Sequence, residues 1–159
     1  MLKLLTTASI FLAICLSGCD KPKIQDDAND ISAIQALSSM RAKAFNEGKA
    51  DDIAIAFTES GILMAPDMKS MKGRDAVRQY YQRIFDEYSA VLESGYDEVK
   101  VSGNMAYGVG FAKVKLVPHK GGDTLVSTAK YINILRRQDD GSWLTTHDIW
   151  NANELPVSN

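Results

Sequence analysis

The sequence predicts an α+β domain, with N-terminal helices packed on one face of a strongly curved, mainly antiparallel sheet. Three observations carry this reading. Apolar residues recur at three- and four-residue steps in two stretches before residue 90. After Ala90 the pattern changes to period-two alternation, interrupted by the turn signals Gly103-Asn104, Gly121-Gly122-Asp123 and Asp140-Gly141. One alternating stretch has a face made only of Ala and Gly, which points to a strand that bends sharply or is closely approached by other backbone. Helices first and strands afterwards is the order of an α+β fold rather than of repeated βαβ units.

The first element is an address. Residues 1–19 read MLKLLTTASIFLAICLSGC, one basic residue, an apolar stretch from Leu4 to Leu16, then small residues and Cys19. An apolar helix of that length spans about 20 Å, short of a hydrocarbon core of about 30 Å. A basic start, a short apolar middle and a small-residue end are instead the parts of an export signal. Leu16-Ser17-Gly18-Cys19 resembles a bacterial lipobox, which implies acylation of Cys19 and removal of a signal peptide at 1–18. The resemblance then implies a lipid-anchored protein in the bacterial cell envelope, facing the periplasm, with membrane lipid as partner through acylated Cys19. Asp20 resembles the signal that retains such proteins in the inner membrane. Residues 19–29, with Pro22 among polar side chains, read as the lipidated Cys and a polar tether, 30–154 as the folded domain, and 155–159 as a C-terminal tail.

Within the domain, Ile31, Ile34, Leu37, Met40, Ala44 and Phe45 make an amphipathic helix over Asp30–Glu47, with Asp30 as N-cap and Gly48 as its stop. A short helix is expected at Ala50–Phe57, with Asp51 and Asp52 in its first turn. Ser60–Pro66 reads as a strand. Val77, Tyr80, Tyr81, Ile84, Phe85 and Tyr88 then form the widest apolar stripe of the chain, a helix that can cover a sheet. Strands follow at Val91–Val101, Met105–Pro118, Thr124–Gln138 and Ser142–Ala152.

Composition narrows the chemistry. With 159 residues, 45% hydrophobic and 24% charged, the chain suits one folded domain and neither a disordered tail nor a multispan membrane protein. A net charge of −2 argues against nucleic acid as partner. Removing residues 1–18 takes away Lys3 and Cys15, leaving 141 residues with 17 basic and 20 acidic side chains. With Cys19 acylated, the domain has no free thiol for a disulfide, a metal or nucleophilic catalysis. Two histidines, His119 in a turn and His147 in a strand, lack metal-ligand spacing, so no metal is expected. Gly108-Val109-Gly110 lacks the third glycine and the strand-turn-helix setting of a dinucleotide loop. No cofactor is expected.

The helix ending in Asn46-Glu47-Gly48, the opening Gly73-Arg74-Asp75-Ala76 of the long helix, and Gly141-Ser142-Trp143 followed by His147-Asp148-Ile149-Trp150-Asn151 resemble the nuclear transport factor 2-like superfamily. Within it the chain is most similar to SnoaL-like, ketosteroid-isomerase-like domains. That resemblance spans about Asp30 to Glu154 and implies a cone-shaped roll: a bent sheet wrapped around a long helix, with an apolar cavity at its open end. Members include isomerases, cyclases, dehydratases and domains without chemistry, so the fold alone assigns no reaction.

Asp148 stands in an aromatic strand on the same face as Trp150. If that face lines the cavity, an apolar setting raises its pKa and suits it to general acid or base work. The alternative is a structural Asp bonded to a backbone N–H or to an Arg such as Arg74 or Arg136. Tyr131 is the best-placed phenol for a carbonyl oxygen, against an ordinary core role. Met64, Tyr81, Phe85, Tyr107 and Trp150 are the expected pocket lining. His147, adjacent to Asp148, points to the opposite face and forms no dyad with it. Two functions follow from these residues. One is a binding domain that takes a small apolar ligand or forms a homodimer through its sheet. The other is a small isomerase or dehydratase with Asp148 as acid/base and Tyr131 as oxyanion donor.

Overall fold

The computed structural model describes residues 27–154, so the export signal, Cys19, Asp20 and the tether lie outside the described residues, as does the tail at 155–159. The element order is α1 (Asp27–Asn46), α2 (Ala50–Ala54), β1 (Phe57–Met64), β2 (Met71–Lys72), α3 (Arg74–Glu87), β3 (Tyr88–Ser102), β4 (Met105–Pro118), β5 (Leu125–Arg137) and β6 (Trp143–Ala152). The six strands form one curved sheet in the order β2-β1-β6-β5-β4-β3. All pairs are antiparallel except β1 with β6, so the sheet is mixed. The helices cover its concave face, and the α+β class holds.

α1 ends as its sequence dictates. Gly48 sits at φ +67, the Lys49 amide donates to the Ala44 carbonyl at 2.9 Å, and the Gly48 amide donates to Phe45 at 3.1 Å. Those two bonds are the Schellman closure, and glycine supplies the left-handed residue without steric cost. The start differs from expectation. The helix begins at Asp27, so Asp30 is not its N-cap but a buried carboxylate inside the first turn. It accepts from Trp143 Nε1 at 3.2 Å and pairs with Arg137, bonds across the fold that win over local capping.

Three other boundaries move. α2 stops at Ala54, because fully buried Phe57 already belongs to β1, where it pairs with β6. Arg74 Nε holds the Phe57 carbonyl at 2.7 Å. β1 thus opens before Ser60. Tyr88 leaves the α3 stripe and adopts extended backbone at φ −135, opposite Pro118, so β3 opens before Val91. The two-residue β2, paired with Ile62 and Leu63, has no counterpart in the sequence pattern; it is too short to show a period.

The small-residue face of β4 points inward. Ala106, Gly108 and Gly110 are buried, while Tyr107, Val109 and Phe111 are exposed on the convex face. A Cβ at Gly108 would lie 2.4 Å from the Tyr96 ring. One at Gly110 would lie 2.1 Å from the Gly95 carbonyl oxygen and 2.7 Å from Tyr131. The glycines therefore admit two tyrosines and a close strand approach into the concave face, where the β3–β4 register shifts between Tyr96 and Glu98. Two apolar clusters flank this region. One joins α1, α2, α3 and β1 around Phe45, Ile53, Phe57, Leu63, Val77 and Tyr81; the other joins α1 to the sheet through Ile34, Ala106, Leu135 and Trp143.

Candidate functional site

Between the first cluster and the sheet lies a cavity of about 340 Å³. Its walls are apolar: Phe45 and Ile53 from the helical layer, Ile84 from α3, and Leu92, Val114 and Leu116 from β3 and β4. Alternation on the concave face sends every second strand residue into it. On β5 those are Ala129, Tyr131 and Asn133, and on β6 Asp148, Trp150 and Ala152.

Polar groups gather at the inner end. Asp148 is 5% exposed and stands in register with Leu63 on β1 and Asn133 on β5. Its partner is Arg41 of α1, which donates Nη2 to the carboxylate, and neither of the expected arginines. Arg74 is instead bound to Glu59 and to the carbonyl of Phe57, and Arg136 is exposed. The Arg41 guanidinium also lies over the Phe57 ring, 4.8 Å from its centroid. Burial works to lower its pKa, but the carboxylate of Asp148, together with the phenols of Tyr81 and Tyr96, outweighs it, so Arg41 is held charged above its usual range. Arg41 Nη1 reaches Asn133 Oδ1 at 3.4 Å, and Tyr96 donates its hydroxyl to the same oxygen at 2.7 Å.

The phenols around the pair are held in their protonated form. Burial pushes the Tyr81 hydroxyl up, with the Asp148 carboxylate adding to it; burial also raises Tyr96 against the opposing pull of Arg41. Tyr131 is raised mainly by burial, and its hydroxyl donates to the Gly95 carbonyl at 2.9 Å. The Tyr96 and Tyr131 rings meet edge to face with centroids 5.6 Å apart.

Of the residues singled out from the sequence, Asp148, Tyr131, Tyr81 and Trp150 converge on this cavity. Met64, Phe85 and Tyr107 do not. Phe85 packs behind the wall against Phe45, centroids 5.3 Å apart, while Ile84 takes the lining position. Met64 pairs in register with exposed Ile149. Tyr107 stands on the convex face with its hydroxyl on Glu98 at 2.7 Å, since the Ala/Gly face of β4 turned inward. His147 lies on the face away from Asp148, with Nδ1 at 3.1 Å from Thr146 Oγ1. Among the described residues no group of three or more His, Cys, Asp or Glu is arranged to hold a metal ion.

Arg41, Asn133 and Tyr96 were not singled out. Arg41 carried a signal: seven residues after Ile34 and four before Phe45, it is a charge on the apolar stripe of α1. Asn133 likewise alternates with Tyr131 and Leu135 on the inward face of β5.

The sequence profile of the SnoaL-like domain matches residues 26–147. No curated protein matches the chain. Among solved structures, the chain is similar to a ketosteroid isomerase-like protein from Erwinia carotovora atroseptica, with a TM-score of 0.72 and 20% identity over 79% of this chain and 98% of that one. A hexachlorocyclohexane dehydrochlorinase (LinA, type 2) aligns with a TM-score of 0.73 and 18% identity, covering 84% of this chain and 92% of that one. A Mycobacterium tuberculosis protein of unknown function aligns with a TM-score of 0.73 and 23% identity, covering 84% and 78%. Identities this low establish the shared fold and no shared chemistry.

Proposed function

Given that this chain belongs to the SnoaL-like domain family, we propose that it is a binding member of that family whose cavity takes one small, mainly apolar molecule. The observation that carries this reading is the state of the cavity's one carboxylate. Among the described residues Asp148 is the only acidic one in the lining, and it is committed to a buried ion pair with Arg41. A general base must be free to take a proton from the substrate. Among the described residues the lining holds no His, Lys or Cys to replace it. What remains is an apolar space with a polar inner end, the form of a small-molecule site.

The isomerase or dehydratase reading draws support from Asp148 and Tyr131 sharing the cavity. It requires Asp148 to leave Arg41 and Tyr131 to leave the Gly95 carbonyl. The convex face, with Val109, Phe111, Ile132 and Ile149 exposed, supports self-association as the second contact of the same protein. Native mass spectrometry of the purified protein tests both. A co-purifying small molecule and a dimer mass are expected; an empty monomer in repeated preparations would overturn the two readings together.

The carrier of the domain is part of the proposal. Acylated Cys19 anchors the protein to a membrane facing the periplasm, and Asp20 favours the inner membrane. Cys19→Ser should move the protein into the soluble fraction. Continued need for detergent in that variant would end the lipoprotein reading.

A further inference from the structure

The curved sheet is open, and its two edges differ. At one edge β2 is a two-residue strand, too short to take a partner. At the other, β3 runs for 15 residues and turns a row of backbone N–H and C=O groups away from β4. Its far half is guarded. The register shift between Tyr96 and Glu98 breaks the edge line, and Asp97, Glu98 and Lys100 are exposed there and beyond. The near half, Tyr88 to Gly95, keeps a regular register and exposes Ser89, Val91 and Glu93, of which only Glu93 is charged. A flat stretch of that kind invites a second strand.

Asn46, in the Asn46-Glu47-Gly48 sequence that ends α1, sits at the middle of this stretch. Leu92 donates its backbone N–H to Asn46 Oδ1 at 2.6 Å, and Asn46 Nδ2 donates to the Leu92 carbonyl at 3.0 Å. A residue of a neighbouring antiparallel strand would exchange the same pair of bonds. Both backbone groups of Leu92 therefore face off the sheet, and by the alternation of the ladder so do those of Ala90 and Ser94. Among the described residues no hydrogen bond from beyond the sheet reaches the backbone of Ala90 or Ser94.

We propose that Asn46 is a built-in block of the β3 edge, a side chain standing in for a strand so that β3 of a second copy cannot pair there. The rungs define the occupant it keeps out. Two β3 edges can meet antiparallel with Leu92 opposite Leu92, which sets Ala90 against Ser94 and uses the outward groups of both copies. Val91 then stands beside Glu93, and no like charges oppose one another. Asn46 holds the central rung of that arrangement, so an incoming Leu92 would find its own N–H and C=O without partners. The edge is a different surface from the convex face, and blocking it leaves self-association through that face untouched.

The test compares the purified full-length protein with Asn46→Ala, by light scattering across a dilution series and by amide hydrogen exchange. Asn46 is exposed, so its truncation should leave the fold in place. In the unmodified protein the Leu92 amide should exchange about tenfold more slowly than those of Ala90 and Ser94. In dilute Asn46→Ala it should exchange as fast as they do. On concentration the variant should reach about twice the mass of the unmodified protein or more, each copy gaining one edge contact. Protection should then appear at Ala90, Leu92 and Ser94 together. Adding Ala90→Pro, which removes an outward N–H, should restore the unmodified mass. A variant that keeps the unmodified mass at every concentration overturns the block, as does a gain in mass without protection of those amides. Should Asn46→Ala fail to fold, exchange in the unmodified protein decides alone: a slow Leu92 amide supports the occupied rung, and equal exchange at Ala90, Leu92 and Ser94 overturns it.

Discussion

α1 is fastened to the sheet twice, once near its start and once about three turns later on the same face. Near the start, Asp30 of the helix pairs with Arg137 of β5, and the guanidinium lies 4.6 Å from the centroid of Trp143. Further on, Arg41 of the helix pairs with Asp148 of β6, over the ring of Phe57. The construction is the same with the signs reversed. Running the helix the other way would set Asp30 against Asp148 and Arg41 against Arg137, so the two pairs together fix its direction. The surroundings differ. Asp30 uses both oxygens, one on Arg137 and one on Trp143 Nε1, inside a cluster closed by Ile34, Ala106 and Leu135. Arg41 keeps an unused N–H beside an open cavity. One pair is a fastening, and the other is a fastening that also presents a site.

The largest effect should come from the closed end. Asp30→Ala strands the Arg137 guanidinium and the buried Trp143 indole N–H together, and should cost about 3–5 kcal/mol, read as a lowered urea midpoint. Asp148→Ala strands the Arg41 guanidinium alone, and should cost less, about 2–3 kcal/mol. An equal or larger loss at Asp148 would mean that the number of stranded donors does not set the cost, and the contrast would fail.

The smallest effect is a pH dependence that reports on the open end. The phenols of Tyr81 and Tyr96 are raised above the ordinary tyrosine value of 10.0 by burial, so the fold favours their protonated form. That contribution is fully present below about pH 10 and declines as the pH rises beyond it, because the unfolded chain then releases protons that the folded one retains. Tyrosinate absorbance should therefore rise together with loss of circular dichroism in a single step. Ionisation of these phenols ahead of unfolding would show an inner end wetter than its geometry indicates.

Much of the fold was legible. The α3 stripe, the Gly48 stop and the strand over Met105–Pro118 follow from local periodicity and turn chemistry, which need no knowledge of the rest of the chain. Boundaries failed where a distant contact outweighed a local preference: Asp30 left its capping role for Arg137, and Phe57 left the second helix for β6. In β4, alternation separated Tyr107, Val109 and Phe111 from Ala106, Gly108 and Gly110, but Tyr107, expected in the pocket, stands on the outward face. The small face turned in because Tyr96 and Tyr131 needed its space.

The site divides the same way. Asp148 and Trp150 share a face by strand periodicity alone, and the sequence therefore put an acid among aromatics. Whether that acid is free or paired depends on Arg41, more than a hundred residues away in the chain. By itself the sequence determined the class of fold, the order of its elements and the absence of thiol chemistry from residues 20–159, since composition, period and turns are local properties. Only the tertiary structure decided that the carboxylate is neutralised. Hydrogen-bond satisfaction is settled among residues brought together by folding, and no local pattern records it.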